Sequence, residues 1–408
     1  MKKRNSTTVL FIYILFIVLS IYNYTNQILR PTELLIPFLI FVLISKVDKV
    51  KTILITGILI LFYLISVDTM NNGLTPMTLN RSRIWGYAIL FFAMGKIFAS
   101  INFNKYKSTI YNAMILSLSI IFLIYILIYL DISIVNKYFT PSSIMSEGTL
   151  NGMKSTNRIL GVSTVMLLLY IILYYINDNR SRLKYILFFI NILMFIVTQS
   201  RTFFVTFMLV YLILYGSKKT WTILLTSVLL FFPTMQAIVY FLIHNEKYHI
   251  YGEKLSELLY VFSSPSMFVR SNDTSYFIND WLSSGYTFVI GRGFNFLLSY
   301  PRFPVDFNSV TGEIEILSQY EIWQLRHNSD NLLSIIIVEG GLILLIFVIL
   351  LFILMFKKIY KNDKRLGFTY LAIVLVYGLT TIHLLTNYVL VFILAYIYYA
   401  SIKKRNIK

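Results

Sequence analysis

The chain of 408 residues contains no cysteine. Disulfide bridges, thiolate nucleophiles and zinc–thiolate sites are therefore excluded. Acidic residues are also scarce, with 18 Asp and Glu against 36 Lys and Arg, and charged residues make up only 13% of the chain. A soluble protein carries about a quarter charged residues, so the composition argues against a soluble fold.

Apolar residues dominate what remains, at 57% of the chain. They form repeated runs of roughly 14–25 residues, the length that a helix needs to cross a bilayer. The net charge of +18 comes from short Lys and Arg clusters between these runs, where such clusters act as topology signals. We therefore expect an all-α polytopic membrane protein that does not bind nucleic acid.

The apolar runs predict about 12 transmembrane helices. They lie at about residues 9–22, 33–45, 52–67, 84–99, 108–130, 159–176, 185–199, 202–216, 221–243, 332–356, 367–382 and 388–402. With the N-terminus in the cytoplasm, most basic clusters fall on the cytoplasmic side, as the positive-inside rule requires. Both termini are then expected to be cytoplasmic.

The stretch from Tyr185 to Gly216 is apolar except for Gln199-Ser200-Arg201-Thr202. A single helix of this length would measure nearly 50 Å, against a hydrocarbon core of about 30 Å. It would also place the basic C-terminus outside. Two short spans that meet at Arg201 satisfy both constraints, and they put this guanidinium at membrane depth, where a charge is costly and is usually functional.

The predicted domains are residues 1–243 with nine spans, a large extracytoplasmic loop at 244–331, and residues 332–408 with three spans. The loop holds ten of the 18 acidic residues, which is typical of a water-facing cap. Ser271-Asn272-Asp273 predicts the start of a short helix that carries Phe277 and Trp281 on one face. Gly291-Arg292-Gly293 predicts a turn.

Two short polar motifs frame this loop. Ser200-Arg201-Thr202 opens one span, and Arg326-His327-Asn328 leads into another span that carries Glu339-Gly340. Together with the long loop between them, these motifs resemble the O-antigen ligase and polymerase superfamily, and most closely the Wzy-type polymerases of surface polysaccharides. The resemblance covers roughly residues 195–356, and elsewhere only the number of spans is similar.

The resemblance implies a GT-C-like, metal-independent glycosyltransferase of the bacterial cytoplasmic (inner) membrane that needs no cofactor. Its donor and acceptor would be oligosaccharides linked to undecaprenyl pyrophosphate. At the outer face of the membrane, the growing glycan would move onto a hydroxyl of the next lipid-linked repeat unit. Membrane lipid and a separate chain-length regulator protein are the other expected partners.

The resemblance also implies roles for individual residues. His327 matches the external-loop histidine of the family and is the expected catalytic residue. Arg201 matches its functional arginine. The loop arginine matches either Arg270, before the aromatic helix, or Arg292, in the glycine turn. These three and Arg326, beside His327, are the expected pyrophosphate-binding residues.

The chemistry of this transfer reaction independently favours the same residue types. The leaving pyrophosphate gains negative charge as it departs, and the planar guanidinium fork of Arg matches phosphate oxygens. The attacking sugar hydroxyl is a weak nucleophile that benefits from a general base near neutral pH, for which His is suited.

Three alternatives stay open. An O-antigen ligase, which transfers finished polymer to lipid A-core, shares these motifs. A lipid-linked oligosaccharide flippase also has about twelve spans, but it generally has short, even loops. A membrane scaffold is a further alternative. Glu339 lies inside a span, and the neighbouring Gly340-Gly341 pair predicts close packing and a structural role for this carboxylate.

Overall fold

The structure, a computed structural model, describes residues 6–21, 36–129, 149–150, 153–154, 160–176, 185–190, 201–217, 237–238, 240–242, 244–245, 275–276, 278–294, 297–302, 305–307, 314–316, 321–326, 332–380 and 388–405. Within these ranges the chain is mainly helical. Three of the helices are long and apolar enough to cross a membrane: Val47–Asn72, Phe103–Leu123 and Ile336–Asn362. The prediction of a helical membrane protein is confirmed, whereas the number of spans and the GT-C-like arrangement stay predictions.

Five helices come first: α1 (Ser6–Ile21), α2 (Ile36–Ser45), α3 (Val47–Asn72), α4 (Pro76–Ser100) and α5 (Phe103–Tyr129). The next three are α6 (Leu160–Tyr175), α7 (185–190) and α8 (Arg201–Tyr215). The last four are α9 (Tyr286–Ile290), α10 (Leu332–Asn362), α11 (Lys364–Thr380) and α12 (Tyr388–Arg405). Residues 237–238, 240–242, 275–276 and 278–282 are also helical.

Short strands add to this helical fold. The strands β1 (Thr149–Leu150) and β2 (Met153–Lys154) pair antiparallel. In the predicted large loop, β3 (Leu297–Arg302) pairs antiparallel with β6 (Glu321–Arg326), and β4 (Val305–Phe307) pairs with β5 (Ile314–Ile316). The short helices predicted in this loop are present at 278–282 and in α9, and the strand pairings are an unpredicted addition to the all-α class. Alternation of apolar and polar residues, as in Trp323-Gln324-Leu325-Arg326, favours strands.

Helices α4 and α12 form the centre of the bundle and run in the same direction. The ring of Phe98 contacts those of Phe392 and Tyr396 at 5.7 and 5.4 Å. A methyl group added to Gly95 would lie 2.7 Å from the carbonyl oxygen of Phe392, so the two backbones approach closely. Near the end of α12, the Lys403 ammonium donates to the carbonyl of Ile101 at 2.6 Å, just beyond the end of α4.

One boundary prediction was wrong. Residues 68–83 were expected to form an outside loop, but α3 continues to Asn72 and α4 begins at Pro76, so that only three residues separate the helices. Thr75 and Thr78 form a reciprocal capping box, and Pro76 occupies the first turn of α4. These features favour a helix start at this point.

Ring contacts test whether one continuous helix covers residues 185–216. The Phe188 ring lies 6.2 Å from the Phe207 ring. A continuous helix would separate these residues by about 28 Å, at about 1.5 Å per residue. A single continuous helix through Phe188 and Phe207 is therefore excluded, whereas the two membrane spans stay a prediction.

Contacts between helix ends agree with the predicted sides of the membrane. At ends expected to be cytoplasmic, Tyr174 donates its hydroxyl to Asp363 at 3.2 Å. Likewise, Arg365 donates to the carbonyl of Leu214 at 2.8 Å. The ends expected to face outward form a separate cluster, described below. Which group faces the cytoplasm stays a prediction.

Candidate functional site

The structure describes three of the five candidate residues. Arg270 and His327 lie outside the described residues. Arg201 is the first residue of α8, and Arg326 is the last residue of β6, in register with Leu297 of β3. Arg292 is the candidate whose side-chain contacts are described, and it lies where the large loop meets the helix bundle.

The Arg292 guanidinium is held at the surface by Asp280. Its Nη2 lies 3.0 Å from Asp280 Oδ2, and 25% of the Arg292 side chain is exposed. The same nitrogen lies 3.3 Å from the Asp280 backbone carbonyl. Asp280 is exposed to a similar degree, at 28%, so the pair is partly exposed to solvent.

The backbone of Arg292 is fixed on both sides. Its N–H donates to the carbonyl of Val338 in α10 at 2.7 Å. Its carbonyl accepts from Asn72 Nδ2 in α3 at 2.8 Å. The neighbouring carbonyl of Gly291 accepts from Asn71 Nδ2 at 3.2 Å. The loop thus joins two helices through main-chain hydrogen bonds on either side of the arginine.

Asp68 anchors the residue that follows the glycine turn. Its carboxylate is buried, and Oδ1 accepts from the N–H of Phe294 at 2.7 Å and from Asn72 Nδ2 at 2.9 Å. The second oxygen, Oδ2, accepts from the Thr78 hydroxyl at 2.5 Å. A buried carboxylate requires such donors, and here they come from α3, α4 and the loop.

The glycines of the predicted turn are needed for two reasons. Gly291 and Gly293 have φ of 90° and 88°, which side chains disfavour. A Cβ at Gly291 would lie 2.7 Å from backbone atoms of Glu339, Gly340 and Gly341. At Gly293 it would lie 2.6 Å from the Cα of Asp68. Both glycines thus have the positive φ that a glycine turn uses, and this segment is the docking point of the loop.

Helix α10 breaks where the loop docks. Gly341 has φ 59° and ψ −157°, outside helical geometry. Tyr63 of α3 donates its hydroxyl toward the carbonyls of Ile290 and Gly340 at 3.0 and 3.1 Å. With the bond from Arg292 to Val338, these contacts satisfy carbonyl groups near the break.

Glu339, beside this break, is buried and accepts from the indole Nε1 of Trp85 at 2.8 Å. The close packing predicted from the Gly340-Gly341 pair is confirmed. A Cβ at Gly341 would lie 2.5 Å from the Val289 carbonyl oxygen, so the pair packs against the loop.

Trp281 stabilises the loop from within. Its ring stacks on Phe288 at 4.6 Å, and its Nε1 donates to the Phe288 carbonyl at 2.7 Å. The predicted partner Phe277 lies outside the described residues, so the i,i+4 aromatic pair stays a prediction. The contact with Phe288 folds 278–282 back against α9.

Asp68, Asn72 and Trp85 lie at the site although their sequence positions did not predict it. Asp68 and Asn72 were assigned to a loop, although the Thr75-Pro76-Met77-Thr78 capping signal could have moved the start of α4 forward. Nothing in the sequence indicated that Trp85 lies at this site, because an indole at a span end is ordinarily an interfacial anchor.

The arrangement offers a partly exposed guanidinium on a rigid backbone at the edge of the bundle. Such a group can bind a phosphate bidentately in place of a carboxylate. Among the described residues, no group of three or more His, Asp or Glu side chains could hold a metal ion. No protein-family model, no curated protein and no solved structure matches the chain.

Proposed function

We propose that this protein is a polysaccharide repeat-unit polymerase, a glycosyltransferase that acts on undecaprenyl-pyrophosphate-linked glycans at the outer face of the cytoplasmic membrane. The motifs around Arg201 and His327 and the long loop between them are the basis of the proposal. The observation that carries it is the docking of the Gly291-Arg292-Gly293 turn onto α3 and α10.

This docking favours an enzyme over a flippase. A flippase has no need for a large external loop to be fixed on its helices, whereas a transferase needs charged groups held in place beside its lipid-linked substrates. Within the loop, residues 278–294 are folded and joined to α3 and α10 by several hydrogen bonds. An arginine lies at the centre of that junction.

In the proposed reaction, the acceptor hydroxyl attacks the anomeric carbon of the donor glycan. A new glycosidic C–O bond forms as the C–O bond to pyrophosphate breaks. The hydroxyl proton passes to His327, and the bonding electrons leave with undecaprenyl pyrophosphate. Arg292, with Arg201, Arg326 and Arg270, balances the charge that grows on this leaving group.

The proposal is tested by complementing a strain that lacks the gene. H327A and H327Q should give no polymer while the protein stays in the membrane. R292A should lower polymer synthesis on the order of 100-fold, and R292K should recover only part of it, because an ammonium lacks the planar fork. Full-length polymer from both His327 variants would contradict the catalytic assignment.

A further inference from the structure

Two side chains of α3 contact the backbone that directly follows the Arg292 side chain. Asn72 donates to the Arg292 carbonyl at 2.8 Å, and Asp68 accepts from the Phe294 N–H at 2.7 Å. Asn72 and Asp68 also hydrogen-bond each other at 2.9 Å. Together they fix the backbone from the Arg292 carbonyl to the Phe294 N–H.

Asp68 joins this segment to a second helix. Its other carboxylate oxygen accepts from Thr78, a member of the capping box at the start of α4. Gly293 lies so close to Asp68 that even a Cβ would collide with its Cα. The carboxylate is thus the point where α3, α4 and the loop meet, and it lies in a buried position.

We propose that Asp68 and Asn72 are positioning residues for Arg292, which hold its backbone so that the guanidinium meets the pyrophosphate of a lipid-linked substrate. The inference rests on the proposed function, in which Arg292 contacts that pyrophosphate. Misplacing a substrate-binding group by about 1 Å can cost about 100-fold in rate. Loss of Asp68 should therefore resemble loss of Arg292.

Substitutions at Asp68 separate its two hydrogen-bonding roles. D68A removes both acceptor oxygens. D68N keeps one, and with its carbonyl toward Phe294 its amide can donate to the Thr78 hydroxyl, which can accept. D68N should therefore preserve much of the function that D68A loses. T69A is the matched control, because Thr69 is exposed and, among the contacts described, its hydroxyl bonds only to the carbonyl of Ile65 one turn back.

A double-mutant cycle distinguishes positioning from general stability. Polymer synthesis is measured for D68A, R292A and the double variant D68A/R292A, with membrane levels matched. If Asp68 acts through Arg292, the double variant loses no more than R292A alone. Losses that multiply would overturn the inference.

A distance measurement tests the anchor without any activity assay. The chain has no cysteine, so S283C and L74C introduce a unique pair of spin labels at exposed positions of the loop and the α3–α4 linker. Double electron–electron resonance should give a narrow distance distribution for the otherwise native chain and for T69A and D68N. D68A should broaden or lengthen it.

The outcomes are separable. An unchanged distance in D68A overturns the positioning role whatever the activity. If the R292A variant makes as much polymer as the native protein, the proposed role of Arg292 is overturned. The spin-label distance in D68A then still decides whether Asp68 holds the segment. If D68A does not accumulate, N72A at an exposed position provides the same tests, and an unchanged distance with full polymer in N72A counts against the inference.

Discussion

The indole N–H of Trp85 donates to Glu339 Oε2 at 2.8 Å, and both side chains are buried. The bond joins α4 to the end of the first segment of α10, next to the break at Gly341. It therefore ties the site of loop docking to the central helix of the bundle.

The first prediction concerns this bond. E339L removes the acceptor and leaves the Trp85 N–H buried without this partner, which should lower the free energy of unfolding by about 1–3 kcal/mol. E339Q keeps an acceptor oxygen and should cost less. Unfolding of the purified protein in detergent measures both, and equal stability of E339L and the native protein would contradict a structural role.

The second prediction concerns the break in α10. G341A places a methyl group 2.5 Å from the Val289 carbonyl oxygen and also imposes a disfavoured φ of +59°. G73A is the matched control, since Gly73 has φ +75° but nothing within 4 Å of its Cβ position. Conformational strain alone costs roughly 1–2 kcal/mol, so G341A should be clearly less stable than G73A.

The spin-label pair S283C and L74C provides a second measurement for the same variants. G341A should displace the loop and change the distance, because its methyl group collides with the backbone of the docking segment. An unchanged distance, together with equal stability of G341A and G73A, would show that the close approach at Gly341 is unnecessary.

The third prediction concerns the packing of α4 on α12. Alanine is a better helix former than glycine by about 1 kcal/mol, so G86A, which meets nothing within 4 Å, should stabilise the protein or leave it unchanged. G95A should instead lower the melting temperature in detergent, because its methyl group would lie 2.7 Å from Phe392 and Ala395 atoms. A stabilising G95A would contradict this packing.

The fourth prediction concerns the turn between α7 and α8. The Phe188 and Tyr211 rings lie 4.7 Å apart. In a chain that lacks cysteine, F188C and Y211C should be joined by a short bis-maleimide, visible by mass spectrometry after digestion. A single continuous helix would separate them by about 35 Å and give no cross-link. F189C, at an exposed position, should cross-link to Y211C less efficiently.

Most of the helices could be predicted because a membrane span needs a long apolar run, and such runs are visible in the sequence. The end of α3 could not be predicted in the same way. Asp68 is a charged residue in helical conformation, and its hydrogen-bond partner Phe294 lies far away in the chain. A hydropathy pattern contains no information on that pairing, so the polar residues from Asp68 onward suggested a loop.

Only part of the candidate site could be predicted, because local chemistry is visible in the sequence and tertiary contacts are not. The Gly291-Arg292-Gly293 turn follows from local chemistry, since glycine tolerates positive φ. Its docking onto Asn72 and Val338 depends on tertiary structure. The roles of Arg201, Arg270, Arg326 and His327 come from the sequence and the resemblance, and they stay predictions.

The most direct test of the proposed function is a gel of surface polysaccharide from a strain that lacks the gene, with lipid-linked sugars extracted in parallel. A polymerase predicts that single repeat units still reach the surface while the ladder of longer chains is absent. Complete loss of surface polymer would contradict the proposal. Long lipid-linked chains stranded outside would then indicate a ligase, and single units trapped inside would indicate a flippase.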